Sequence, residues 1–373
     1  MDKPKNFNPN RAVYFLIVFI CCVITAAVLK IAASVILPFT ISILLAFVMY
    51  PILKALDKIH CPRIISIFLA ITIIVAGLYV FAMILFTSGR MIAAQYPRYE
   101  KRFVEIYLWA ARLFQLPFDE HLSFWENLWG QLGIRNFIRN FTFSISNHAF
   151  RFVSSAIIVI LFVVFILLEA SFFRIKLEAA FEKRSARIYK MGHDLMAQVT
   201  RYLTAKFFIS LANGVIFAIG FHLVGLEFAV VWGVIQFLLN FIPTLGSITA
   251  GVAISFFAVI QFWPNPVPIF IVVIIILAVN LILCNIFDPK IVGEHVGISP
   301  LMILISLAVW GWIWGFAGMV LAVPMTSIIR IVCENIPFME PVSVLIGTKK
   351  SVLAKKAERE KQKEEAEGVE RSS

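Results

Sequence analysis

The sequence predicts an all-α polytopic integral membrane protein of about eight membrane segments, and three observations carry that prediction. Of the 373 residues 61% are hydrophobic and 15% charged, with a mean hydropathy of +0.90, whereas soluble domains run at about 45–50% apolar and about 25% charged. Uncharged runs of 17 to 60 residues recur along the chain, against the roughly 18 residues that suggest a bilayer span. Prolines and glycines interrupt the longest runs, which marks two long elements as broken or re-entrant. A water-soluble globule is excluded.

The elements follow in order. Residues 1–89 hold three spans: 12–29, after a basic start at Lys3, Lys5 and Arg11; 31–53, which contains Pro38 and Pro51; and 64–89, after the basic connector 54–63. An uncleaved first span is expected in place of a signal peptide, because a second apolar run follows it directly. Residues 90–151 form a mixed insert in which Tyr99, Phe103, Ile106, Ala110 and Leu113 fall at helical spacing. Short amphipathic helices, broken at Pro97 and Pro117, are expected there.

Residues 152–206 comprise a fourth span, 152–168, and a segment with eight basic and three acidic residues, 174–206. Ile188, Met191, Leu195, Val199 and Tyr202 make a stripe along it, as on a helix lying on a membrane surface. Residues 207–336 form a core with broken helices or hairpins. A fifth span, 207–226, precedes a 60-residue uncharged stretch that Trp263-Pro264-Asn265-Pro266-Val267-Pro268 divides. A 34-residue uncharged element, 296–329, follows. As a straight helix it would be about 50 Å long, against a hydrocarbon core of about 30 Å. Residues 337–373 are a charged tail.

Charge sets the orientation. With both termini cytoplasmic, the basic segments 54–63 and 174–206 fall inside and the insert 90–151 outside. The last three elements then cross an odd number of times, either as three full crossings or as one crossing flanked by two re-entrant hairpins. The hairpin arrangement would pair the fifth span and its hairpin with a later, inverted span and hairpin, as in many secondary transporters. Gly225, Pro243 and Gly246 have the spacing of Gly297, Gly315 and Gly318.

Three segments carry the candidate site. In Asn240-Phe241-Ile242-Pro243-Thr244-Leu245-Gly246, Pro243 removes a helical hydrogen bond and Gly246 permits backbone that other residues resist. Gln236 and Asn240 lie on one face. Asn280 and Asn285 precede Asp288 and Lys290, which close an apolar span. Gly311, Gly315 and Gly318 lie in or just after Trp310-Gly311-Trp312-Ile313-Trp314-Gly315 and either pack helices closely or bend a hairpin. The amides Gln236, Asn240, Asn280 and Asn285 are the expected solute-binding residues, and Pro243, Gly246, Gly311, Gly315 and Gly318 the expected hinges or helix breaks. The same segments also read as interhelical packing and interfacial stops.

The 33 Lys and Arg residues behind the net charge of +11 sit between the apolar runs, where membrane orientation explains them without nucleic acid. The five cysteines form no CxxC pair, and HExxH, GxSxG, GxGxxG and the phosphate loop GxxxxGK[ST] are all missing. The reading is therefore a transporter and not an enzyme, with no cofactor, no metal and no ATP-driven step. Ion exchange with sodium or protons would require an ionisable carboxylate, for which Glu169, Glu227 and Asp288 are the candidates.

The motif from Phe241 to Gly246, the run Asn285-Ile286-Phe287-Asp288-Pro289-Lys290-Ile291-Val292-Gly293, Gly297-Ile298-Ser299-Pro300, and the stretch from Trp310 to Val323-Pro324 resemble the signatures of the autoinducer-2 exporter family of bacterial permeases. The resemblance covers residues 10–335. It implies a homo-oligomeric, multi-pass protein of the bacterial inner membrane that exports a small polar solute. Autoinducer-2, a signalling molecule, is the solute implied for some relatives, and exchange of sodium or lithium for protons the activity implied for others. The Trp-Gly-Trp form looks closer to the autoinducer-2 exporters.

Overall fold

The computed structural model describes residues 9–114, 154–170, 172, 175–176, 179–180, 185–287, 297–336, 339–348 and 352–353. Among these residues the chain is almost entirely helical, with no β-strand, and six helices are long and apolar enough to cross a membrane. It is a polytopic all-α membrane protein. Helix α1 spans Pro9–Ile31, α2 Ala33–Lys58, α3 Arg63–Phe114 and α4 Ser154–Glu169. Then come α5 Ser185–Val224, α6 Ala229–Leu239, α7 Leu245–Phe262 and α8 Pro266–Val279, the last running into a π-helical segment, Asn280–Phe287. Helix α9 is Pro300–Asn335 and α10 Glu340–Ile346.

The long elements fold back on themselves. Between α6 and α7 the chain turns through 240–244, where Pro243 supplies no N–H and Thr244 takes a left-handed φ of 63°. Just past the turn, a methyl on Gly246 would overlap the Leu239 carbonyl, so the two legs meet at backbone distance. Inside α9 the reversal falls on Trp314 and Gly315, whose φ and ψ of 60° and −138° suit glycine. A methyl on Gly318 would overlap the Trp310 carbonyl, the counterpart of Gly246 at the first hairpin.

Each hairpin is tied at its open end. In the first, Gln261 Nε2 donates to the Gly225 carbonyl at 2.8 Å and Oε1 accepts from the Glu227 amide at 2.8 Å. In the second, the Ser299 amide donates to Ile346 at 3.0 Å and the Thr348 amide to Gly297 at 2.9 Å. The first open end lies beside the C-terminal end of α5. Ile298 and Ile346, at the second, share a buried cluster with Val199, Tyr202 and Leu203 of the first half of α5. Ile242, at the first turn, belongs to the same cluster as Trp310, Ile313 and Trp314.

Close contact of small residues seats the first hairpin on α5. A methyl on Gly214 would stand 2.7 Å from the Gly233 carbonyl oxygen, and one on Gly233 2.5 Å from that of Gly214. Backbone approach of this kind is how helices associate where lipid removes the hydrophobic drive.

Three expectations change. Helix α3 runs through Pro97 as one 52-residue helix, where a break was expected. Contacts of Arg98, Tyr99, Arg102 and Trp109 with the first hairpin oppose an interior-proline penalty of about 3 kcal/mol. The stripe ending at Val199 and Tyr202 belongs to no separate surface helix. It continues into the fifth span as α5, and both side chains are buried. Gly311 lies in the helical part of its leg, facing Met319 of the returning leg, and the break falls on Trp314 and Gly315 instead. Residues 115–151 of the insert and most of the charged tail lie outside the described residues.

Gly315→Val should destabilise the protein by at least about 1–2 kcal/mol, because a β-branched residue resists left-handed backbone. Gly77→Ala, with nothing within 4 Å of the added methyl, should be neutral or stabilise by up to about 1 kcal/mol. Thermal unfolding of the purified variants in detergent checks both, and equal melting temperatures for Gly315→Val and wild type would contradict the assignment.

Candidate functional site

The turn at 240–244 opens into a cavity of about 650 Å³ bounded by α5, α7, the turn itself and the junction of α8 with the π-helical segment. Its polar lining is Lys206, Asn240, Thr244, Ser247, Ser255 and Asn280, and Pro243, Ile248, Val252, Val273 and Leu277 contribute apolar walls. Non-helical backbone at membrane depth is tolerated where it is buried in protein or lines such a cavity.

Helical spacing aligns the groups. On α5, Lys206, Ser210 and Asn213 fall four and seven residues apart on one face, and all three are buried. On α6, Gln236 and Asn240 face them. Asn240 Nδ2 donates to Ser210 Oγ at 2.9 Å, and Gln236 Nε2 donates to Asn280 Oδ1 at a long 3.4 Å. Gln236 is 1% exposed, and its Oε1 is buried without a hydrogen-bond partner. An unpaired buried amide oxygen costs about 1–3 kcal/mol.

Three of the four expected amides, Gln236, Asn240 and Asn280, therefore come together, although only Asn240 and Asn280 line the cavity wall. Asn285 lies in the π-helical segment, one i→i+5 turn beyond Asn280, and its side chain is outside the described residues. Segments of this type are rare and recur at functional sites. Asp288 is also outside the described residues.

Neither Glu169 nor Glu227 lines the cavity. Glu169, exposed at the end of α4, pairs with Lys176. Glu227 stands at the open end of the first hairpin, where Arg98 Nη1 lies 2.9 Å from Oε1 and the Tyr99 hydroxyl donates to Oε2. Arg102 donates to the carbonyls of Gln261 and Trp263, and Trp109 packs edge-on against Trp263 at 5.0 Å between ring centres. The extension of α3 thus grips the hairpin's open end. Among the described residues no three His, Cys, Asp or Glu side chains gather where a metal could bind.

Lys206 is the residue that sequence reasoning missed. It closes a basic segment, where a lysine ordinarily extends its ammonium to the membrane surface. In the structure it turns inward and is 2% exposed. The signal was its place one turn before Ser210 and two before Asn213.

Two helical hairpins, the first of which lines a cavity with a polar edge, fit a polytopic protein of the transporter kind. The profile described as AI-2E family transporter matches residues 15–338. The chain belongs to that family. It is 28% identical to the "AI-2 transport protein TqsA" of Escherichia coli K12, an alignment covering 86% of this chain and 91% of that protein. It is 29% identical to a "Putative transport protein" of Borreliella burgdorferi, over 92% of this chain and 94% of that one. It is 25% identical to the "Putative transport protein YhhT" of Escherichia coli K12, over 93% and 97%.

Burial, and then the hydrogen bond to Glu227, push the Tyr99 phenol above its ordinary value. The raised group stabilises the fold fully below its unfolded pKa of about 10, and that stability is lost as pH rises from there through the folded pKa. Melting temperature should therefore fall above about pH 10, and less steeply in Tyr99→Phe. Parallel profiles for the two proteins would count against the contact.

Proposed function

We propose that this protein is a secondary permease that exports a small polar organic solute by alternating access, with autoinducer-2 a leading candidate. The observation that carries the reading is the broken-helix turn at 240–244, which meets Asn280 across a polar cavity large enough for a small molecule. Uncharged amides offer both donor and acceptor without the cost of a bare buried charge. In this reading the two hairpins open toward opposite sides of the membrane and act as the two gates that alternating access requires, the first of them lining the site. Membership of a transporter family supports transport over catalysis, and the printed name of TqsA supports the choice of solute.

The same reading locates the chain in a bacterial inner membrane as a homo-oligomer with both termini cytoplasmic. It rests on the basic segments 54–63 and 174–206 and on the family. Exchange of sodium or lithium for protons is not favoured, because Glu169 and Glu227 are ion-paired away from the cavity.

Flux into proteoliposomes, with and without imposed sodium and proton gradients, tests the reading. Asn240→Leu and Asn280→Leu should lower solute flux at least about ten-fold, the cost of one lost buried hydrogen bond. Asp288→Asn should leave much of it. Ion exchange predicts the reverse: Asp288→Asn would abolish coupling and the amide changes would matter little. Wild-type flux in all three variants at equal membrane abundance would contradict the placement of the site.

A further inference from the structure

We propose that the pocket between the C-terminal part of α2 and the first half of α5 binds an anionic phospholipid, whose phosphate meets Arg201 while its glycerol and acyl chain follow the apolar wall. The site shares no lining residue with the cavity at the turn and does not rest on the permease reading.

The pocket measures about 390 Å³, within the range of about 300–1,000 Å³ typical of small-molecule sites. Tyr50 and Pro51 bound it from α2, and on α5 its wall runs from His193 to Ala205 along one helix face, in steps of mostly three and four residues. Its level is the membrane boundary. On α2 the apolar run 31–53 gives way to Lys54 just past Tyr50 and Pro51, and on α5 the wall ends just before the fifth span, 207–226. Tyrosine concentrates at this level, and arginine near a span end reaches the headgroups.

Two unpaired hydroxyls point to a ligand. A helical threonine can bond back to the carbonyl four residues earlier, as Thr25, Thr40, Thr72, Thr87 and Thr249 do in this chain. Thr200 and Thr204, one turn apart on the pocket wall, are exceptions whose buried hydroxyls have no partner. Thr200 is only 9% exposed. Leaving a buried hydroxyl unpaired is destabilising, and phosphate oxygens would accept from both.

Arg201, beside Thr200, is exposed and makes neither an ion pair nor a hydrogen bond with the described residues. Its planar guanidinium can hold two oxygens of one phosphate. The acidic residues nearest in sequence, Asp57 on α2 and Asp194, whose Oδ1 lies 3.8 Å from His193 Nδ1, are outside the lining. The pocket joins the basic segments 54–63 and 174–206, and basic pockets between spanning helices suit anionic headgroups. Pro51, Met196, Ala197 and Ala205 add an apolar wall. A free phosphate would leave that wall empty, whereas the glycerol and first acyl carbons of a lipid would cover it.

Native mass spectrometry of the purified full-length protein, titrated with phosphatidylglycerol or with phosphatidylcholine of the same acyl chains, tests the proposal. The wild type should bind phosphatidylglycerol at least about five-fold more tightly, the scale of one cation at an anionic surface. Arg201→Gln should lose that preference and Arg201→Lys keep it. Thr200→Val, close in shape but without the hydroxyl, should weaken phosphatidylglycerol about two- to ten-fold. Ala197→Leu, at an exposed position, fills the pocket with Arg201 intact and should weaken it as well. Lys58→Gln removes one charge from the exposed end of α2, outside the lining, and should change nothing. Equal binding of the two lipids by the wild type would overturn the proposal, as would a loss in Lys58→Gln as large as in Arg201→Gln. Displacement of the lipid by inorganic phosphate at equal concentration would assign the pocket to a solution anion and overturn it too. Conversion of an oligomer to monomer by Ala197→Leu would assign the pocket to a second copy of the chain, with the same consequence.

Discussion

Inside a bilayer no water is available to peptide groups, so every N–H and C=O must find its partner within the protein. The two reversals, at Thr244 and at Trp314–Gly315, interrupt the helical ladder in spanning elements and exist only because other helices enclose them. Trp310, Ile313 and Trp314 are buried around the second reversal, and the Trp314 indole donates to the Leu29 carbonyl of α1 at 3.0 Å. The first reversal is enclosed by α5 on one side and opens to the cavity on the other. Packing and site therefore have one origin: the backbone that cannot stay helical is the backbone that bounds the polar space.

Much of this architecture was legible in the sequence. The common spacing of Gly225, Pro243 and Gly246 with Gly297, Gly315 and Gly318 marks structurally matching positions. Gly225 and Gly297 take left-handed φ values of 80° and 59° at the hairpin entrances. Gly246 and Gly318 are the two close-approach points beyond the turns. Such positions are readable because the backbone itself excludes other residues. The pairing of Gln236 with Asn240 was readable because four-residue spacing is local.

What the sequence hid was set by distant partners. Glu227 reads as a candidate for ion coupling until Arg98, 129 residues away, is found paired with it. Pro97 reads as a helix end because its penalty is local, whereas the contacts that hold α3 straight come from the first hairpin. Lys206 reads as the last cation of a basic segment, since a side chain that can extend either way carries no local sign of its direction. Gly311 shares a GxxxG with Gly315, yet one packs within a leg and the other makes the turn.

The account depends on the two hairpins entering from opposite sides of the membrane, and accessibility of engineered thiols measures that directly. Single cysteines at Asn265, in the connection beside the first open end, and at Leu345, in α10 beside the second, would be placed in a background without the five native cysteines. Both positions are solvent-exposed in the structure. A membrane-impermeant maleimide applied to intact cells should label the cysteine at 265 and reach that at 345 only after permeabilisation. Labelling of both from the same side would contradict the opposed hairpins and, with them, alternating access.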